Sequence, residues 1–401
     1  MKKTIITTIA TLTATSSFLL AGSCSGGACG VVRPHIPTDI QNQQKIKPFN
    51  FSSKKIQEKQ KEYTIWGLVD NGGDTVTGEN RLMAGADINA IFTNNDKISL
   101  FGLISSEDLT SGKVSYAYPI SWNDLVFEVA YINTNYSLSS PILNMTGVGT
   151  THSFEGKVIY PFIKNDSETL DFSLSMNQNT ISEEENNDLY DSNIDKSSYS
   201  LTAKLDFESK NYSLFNHKLS LGLTAGNLSF DDIKNEIVDG KTANTQGSYT
   251  KINIDYKNTI LPSENTIIET NFRSQFALND KNLDDSESFT IGGTNGVKVY
   301  EESSVYDSNG FFASIEAKYK LPELGSLKNT VGVFYEYGEI WESDSIISSD
   351  TISVQDAGVG IYTTYNNFFS KIQGAVKVGN SDISPKDDDD FRALFQLGFV
   401  Y

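Results

Sequence analysis

Cysteine is almost missing from this chain: Cys24 and Cys29 are the only two in 401 residues. That excludes a disulfide scaffold and a zinc site, which needs more ligands at defined spacing. After export the two would close a small loop or stay unpaired in a tail. Histidine is nearly as scarce, with His35, His152 and His217. None has a flanking Ser/Asp arrangement, and the nucleophile-elbow pattern is absent, so the chain is not expected to be an enzyme. No metal or cofactor is expected either. The acidic runs Glu183-Glu184-Glu185 and Asp387–Asp390 lack EF-hand spacing and its glycine and read as solvated loop charge rather than calcium ligands. Positive charge is in deficit, 32 Lys and Arg against 51 Asp and Glu for a net −19, which leaves no basic face for nucleic acid. Long apolar runs are missing as well. The one candidate, Ile5 to Leu20 after Lys2 and Lys3, reads as the core of a secretory signal peptide over 1–23. Ala21-Gly22-Ser23 before Cys24 suits ordinary cleavage; Leu20-Ala21-Gly22 is a lipobox displaced by one residue, which keeps lipidation of Cys24 as the alternative.

What the chain does have, from Tyr63 onward, is period-two alternation. Residues 24–61 are rich in Gly, Pro, Gln and Lys and read as a linker or N-terminal extension. In Gly310–Leu321, Phe311, Ala313, Ile315, Ala317, Tyr319 and Leu321 share one face, with Ser314, Glu316, Lys318 and Lys320 on the other. Phe391–Tyr401 sets Phe391, Ala393, Phe395, Leu397, Phe399 and Tyr401 against Arg392, Gln396 and Gly398. Leu82–Phe92 alternates in the same way. Soluble strands average only about five or six residues, and these runs are long enough to cross a bilayer at a tilt. Short turns (93–96, 121–124, 164–167, 322–326, 366–367) alternate with longer polar loops (133–149, 182–195, 229–247, 279–308, 343–349). Short turns on one side and long loops on the other predict an all-β fold, a transmembrane antiparallel β-barrel of about 16 strands over 62–401. The 19 Tyr and 23 Phe suit interfacial girdles in contact with outer-membrane lipid. Loops 182–195 and 385–390 are expected outside the cell. The terminal Phe399-Val400-Tyr401 looks like the signal, carried by Phe399 and Tyr401, that barrel-assembly machinery reads.

The stretch Phe289 to Tyr300 adds a resemblance. Gly292-Gly293 followed by Val297-Lys298-Val299-Tyr300 is similar to the hallmark loop of two-partner secretion transporters, the TpsB family, with its Gly-Gly pair and Val-Arg-Gly-Tyr tip. Lys298 stands for the arginine and Val299 for the second glycine. Val69-Asp70-Asn71 with Thr77-Gly78 looks like the family's first hairpin, and Tyr116-Ala117-Tyr118-Pro119 like an early strand end. Asp307-Ser308-Asn309-Gly310 resembles the segment after the loop, and Val333-Phe334-Tyr335-Glu336-Tyr337-Gly338 the later Phe-x-Asp-x-Gly strand. The resemblance implies a barrel in the bacterial outer membrane that passes a TpsA-like secreted exoprotein of haemolysin or adhesin type. It also implies that the loop Gly292, Gly293, Val297, Lys298 and Tyr300 folds into the lumen as a gate, where Lys298 meets Glu336. Lysine is a point charge rather than a bidentate fork, so the pair is expected to be looser than the arginine original. Family members place two POTRA domains before the barrel, and residues 24–61 are too short to hold one. Recognition is therefore expected from another chain, or the barrel acts instead as a passive channel or surface binding protein that has lost export.

Overall fold

The computed structural model describes residues 63–401 apart from 76, 94–95, 121–123, 141–144, 166, 188–190, 212–214, 344–350, 382 and 384–389. The expected signal peptide (1–23), the extension (24–61) with Cys24, Cys29 and His35, and most of the acidic connection 385–390 lie outside the described residues. Four short strands come first: β1 (Tyr63–Asp70), β2 (Arg81–Asn89), β3 (Lys97–Ser105) and β4 (Thr110–Pro119). Longer ones follow: β5 (Val126–Ser140), β6 (Met145–Lys164), β7 (Glu168–Asn187), β8 (Asp191–Asn211) and β9 (Phe215–Phe230). After helix α1 (Ile233–Asp239) come β10 (Gly247–Ile260) and β11 (Thr266–Ala277). The small strands β12 (Phe289–Thr290) and β13 (Tyr306–Asp307) pair with each other inside one connection. The chain ends with β14 (Asn309–Lys320), β15 (Leu327–Trp341), β16 (Ile352–Tyr365), β17 (Phe368–Lys377) and β18 (Phe391–Val400).

Sixteen of these strands form one closed antiparallel ring, each beside its neighbour in sequence, with β11 joined directly to β14 and β18 closing on β1. The closing seam is short. Only Trp66 to Asp70 of β1 face Gln396 to Val400 of β18, extended by reciprocal main-chain bonds between Ile65 and Tyr401 at 3.0 and 2.7 Å. One rim carries the tight turns and both barrel termini. The opposite rim, the loop rim, carries the connections 71–80, 231–246, 278–308 and 378–390.

Two sequence expectations change, one at each rim. Segments 133–149 and 182–195, expected as polar loops, are mostly strand, because β5 to β8 continue in register through them. They lack an apolar face, so alternation of apolar residues could not reveal them. Their ladder is joined instead by polar cross-strand pairs such as Ser182 with Asp195 and Asn133 with His152. Leu82–Phe92 is shorter than expected: β2 stops at Asn89, Ala90 takes φ 56, and Phe92 lies in a turn whose amides Asp96 accepts.

The period-two pattern sorts side chains as expected. Ile315, Tyr319, Phe395, Leu397 and Phe399 are exposed on the outer wall. Glu316, Lys318 and Gln396 occupy the opposite positions and face inward, where Lys318 lies 2.7 Å from Glu269 and 3.2 Å from Glu316. Inside, an apolar cluster joins Ile291, Val297, Val299, Tyr300 and Val305 of the 278–308 connection to Phe312, Phe334, Ile340 and Val354 of β14 to β16. That connection therefore fills part of the lumen. If the outer wall contacts lipid, Ile315→Arg will hinder barrel assembly, since a charge there costs about 2–4 kcal/mol at the midplane. Ser314→Arg, on the inner face, will be tolerated. Heat-modifiable mobility of the two variants measures the difference, and equal tolerance would contradict the lipid-facing assignment.

Candidate functional site

The 278–308 connection turns inward because its own backbone allows two close approaches. Gly293 takes φ +84, a conformation that costs side chains with a Cβ. Gly292 does a different job. Its φ is not positive, but a Cβ there would lie 2.1 Å from the Glu301 carbonyl oxygen. A Cβ on Gly296 would meet the Ile291 carbonyl at the same 2.1 Å. The loop is tied to itself through Gly293 N–H to Tyr300 O (2.8 Å), Val297 N–H to Ile291 O (2.7 Å) and Ile291 N–H to Val305 O (3.0 Å). Val297, Val299 and Tyr300 then have no exposed surface. They carry the tip into the apolar cluster.

Between Val297 and Val299, Lys298 points the other way, at the inner wall of β15. Its ammonium bonds Glu336 Oε1, and its own amide donates to Glu336 Oε2 at 3.2 Å. One residue thus supplies two donors to both carboxylate oxygens, which a lone ammonium does not do. Phe334, one inward position along β15, puts its ring centroid 4.6 Å from the Lys298 Nζ. The pair is nine-tenths buried on both sides.

Three tip contacts were not visible in the sequence. Asp356 on β16 stands opposite Glu336 in the ladder and accepts the Val299 amide at 3.0 Å. Arg392 on β18 donates to the carbonyls of Lys298 and Tyr300, both at 3.1 Å, and to Gly73 O at 2.9 Å. Arg273 on β11 donates to Asn295 O at 2.9 Å and lies over the rings of Phe289 and Phe312. All three sit at inward positions of their strands; a lone charge on the polar face is the only sign they leave in the sequence. The first connection is strapped on too, with Thr75 N–H and Oγ donating to the two Glu301 carboxylate oxygens at 2.8 and 2.9 Å.

The base of the loop has its own fixings. Lys196 on β8 lies 2.9 Å from Asp284 and 3.7 Å from Glu183, and Lys251 on β10 lies 2.7 Å from Glu287. Burial pushes the Asp285 carboxyl well above its usual range, helped by neighbouring Asp284. Burial likewise raises Asp307 to about 7, against the pull of the Ser308 amide and with Glu342 nearby. Phe399 and Tyr401 are elsewhere, on the outer wall near the turn rim, where Tyr401 stacks with Tyr63 at 6.3 Å. His152 also faces outward, bonded to Tyr131 and Asn133. Among the described residues no group of three His, Cys, Asp or Glu could hold a metal.

Against known proteins, residues 55–362 match the family described as haemolysin secretion/activation protein ShlB/FhaC/HecB. The heme/hemopexin transporter protein HuxB of Haemophilus influenzae strain 86-028NP is 22% identical over 307 residues, covering 75% of this chain and 54% of that protein. The chain thus spans about half the length of the curated relatives it matches. Among solved structures, CdiB from Escherichia coli superposes with a TM-score of 0.71 at 14% identity, covering 86% of this chain and 64% of that one. CdiB from Acinetobacter baumannii gives 0.63 at 16% identity, covering 85% and 60%. BamA from Haemophilus ducreyi lacking POTRA domains 1-3 gives 0.59 at 12%, covering 85% and 70%. At these identities the structures share the fold.

Two outcomes follow from this geometry. Lys298→Glu places like charges in a buried site and should undock the tip, since breaking a buried pair costs roughly 3–5 kcal/mol. Adding Glu336→Lys should restore part of it, read as protease resistance of the loop across a double-mutant cycle; zero coupling would show that the pair holds nothing. The second outcome concerns pH. Asp307 holds its proton longer in the docked loop than in a free one, so the docked state binds more protons between the ordinary carboxyl range and about 7. Docking should therefore weaken as pH rises through about 7. Hydrogen exchange of residues 283–308 should quicken from pH 6 to pH 8 beyond the intrinsic rate, and Asp307→Asn should flatten that excess.

Proposed function

This chain belongs to the haemolysin secretion/activation protein family ShlB/FhaC/HecB, outer-membrane barrels of two-partner secretion, and from that premise we propose that it is a translocation pore for a partner exoprotein. The family is one of transporters rather than enzymes, and its members work with TpsA-like secreted proteins. The observation that carries the reading for this chain is the tip station: an internally bonded loop lodged on the lumen wall by Lys298, Glu336, Asp356 and Arg392. A barrel used only as scaffold has no need to hold a connection inside itself with charged groups, because burying charge costs solvation that good pairing must offset. A gate does need it. Charged pairs hold one position firmly and release it when a competing partner is offered.

In this reading Gly292, Gly293, Val297, Lys298 and Tyr300 form the movable element and Glu336 its lumen partner. The outer-wall aromatics contact lipid, and Phe399 and Tyr401 serve assembly of the barrel. Recognition of the exoprotein before it enters is assigned to a region or chain outside the barrel.

Deleting residues 289–300 should raise single-channel conductance in planar bilayers, since the loop occupies lumen cross-section. In cells, co-expression with a TpsA-like exoprotein should bring that protein into the medium. Lys298→Glu should lower the yield, and Glu336→Lys in addition should recover part of it. Unchanged conductance after the deletion would remove the gate, and an exoprotein that stays in the periplasm would remove the transport reading.

A further inference from the structure

The loop base rests on a seat distinct from the tip station. Lys251 has no exposed surface, and both its hydrogen bond and its ion pair go to Glu287: Nζ to the main-chain oxygen at 2.8 Å and to Oε2 at 2.7 Å. Lys196, 8% exposed, is shared between Asp284 of the loop at 2.9 Å and Glu183 of the wall at 3.7 Å. The wall has been cleared to build this seat. Tyr136 lies over Gly149 and Tyr249 over Gly226, where a Cβ would fall 1.9 and 2.3 Å from the ring system. Tyr136 also donates to Glu183 at 3.0 Å, holding that carboxylate beside Lys196. The occupant is the short turn Asp285–Glu287 with its cap Asp284, which presents two carboxylates three residues apart.

If that turn leaves, Lys196 keeps Glu183 alone and Lys251 loses both contacts. With the turn gone the two ammoniums face the lumen as cations on one wall, and carboxylates brought by another segment restore the charge-assisted bonds they have lost. Departure of the turn is thus coupled to arrival of other carboxylates. Only something that fits along the lumen wall at the loop rim can bring them, and two sites matched to an i, i+3 pair favour a peptide over a free anion.

We propose that Lys196 and Lys251 form a carboxylate-binding station in the lumen, occupied at rest by the loop's own acidic turn and exchanged for an acidic segment of the polypeptide in transit. The proposal rests on the pore reading for its occupant. It adds a chemical preference to the passenger, carboxylates three residues apart in an extended or turning segment. It also separates loop release into two events, since freeing Lys298 at the tip leaves the base seated.

The test uses the full chain with Cys24 and Cys29 replaced by serine and Ser286→Cys as reporter, purified in detergent. Maleimide labelling of position 286 reports departure of the turn. A short peptide repeating Asp-Ser-Ser-Glu should speed labelling at least about fivefold, a modest coupling between two ligands of one site. The Asn-Ser-Ser-Gln counterpart and free glutamate at matched carboxylate should not. Lys196→Gln with Lys251→Gln should raise basal labelling and abolish the peptide's effect. Equal responses to the acidic and neutral peptides, or an acid response that survives in the double lysine variant, would overturn the proposal. If the lysine variants do not assemble, Asp284→Asn with Glu287→Gln empties the seat from the loop side. That variant should bind the fluorescent acidic peptide more tightly than wild type in anisotropy, and equal affinity overturns the station. Export of the exoprotein is scored separately. Peptide exchange without export counts against the pore and supports the seat, and export without exchange counts against the seat alone.

Discussion

A backbone amide that crosses an apolar layer finds no water to bond, so a neighbouring strand must supply its partner and the sheet must have no edge. The ring of sixteen strands meets this demand everywhere by neighbours in sequence except at one place, where β18 returns to β1. That seam has few main-chain pairs, and a side chain lengthens it. Asn71 Nδ2 donates to Ala393 O at 2.9 Å, and Asn71 Oδ1 accepts the Phe395 amide at 2.8 Å, the exchange that a paired main chain would make. Arg392, on the same strand, reaches both Gly73 beside Asn71 and the tip of the lumen loop. Closure of the barrel and position of the loop therefore share a residue.

Closure dictates the interior. With side chains alternating at period two, apolar residues that suit a membrane force their neighbours to line a lumen, and those neighbours are charged or polar. A segment entering such a space needs apolar contacts to stay and polar contacts to avoid stranding the wall's charges. The 278–308 connection supplies both in alternation: Val297 and Val299 join the apolar cluster while Lys298 between them satisfies Glu336. The expected looseness of a lysine in place of an arginine is offset locally. The Lys298 amide occupies the second oxygen of Glu336, and the Phe334 ring faces the ammonium. The replacement of glycine by valine at 299 is consistent with this, since Val299 is buried and its amide meets Asp356.

The interior also explains the loop's length. Its tip reaches the β15–β16 wall and its base the β8–β10 wall, so the connection crosses the lumen between two charged stations. The stations differ in kind. At the tip a cation of the loop meets carboxylates of the wall; at the base carboxylates of the loop meet cations of the wall. Such a pattern fixes register, because sliding the loop would set like charges against each other. It also places titratable acids, Asp285 and Asp307, where burial holds their protons, so the docked base responds to pH.

Period-two alternation with apolar residues on one face was enough to identify the barrel, its strand count, and the inward and outward faces of β14 and β18, because the chemistry of each face is local to its strand. The Gly-Gly stretch with Lys298 and Glu336 was legible as a pair because both belong to short recognisable segments. The extended ladders of β5 to β8 were not, since hydroxyl and amide side chains pair in register without any apolar signature. Asp356, Arg392, Lys196 and Lys251 were invisible as site residues for a different reason. Each is an ordinary inward polar residue on its own strand, from 36 to 94 positions away from the loop residues it meets. Sequence determined which residues face inward; only the closed ring, by bringing distant strands around one enclosed loop, decided which of them meet.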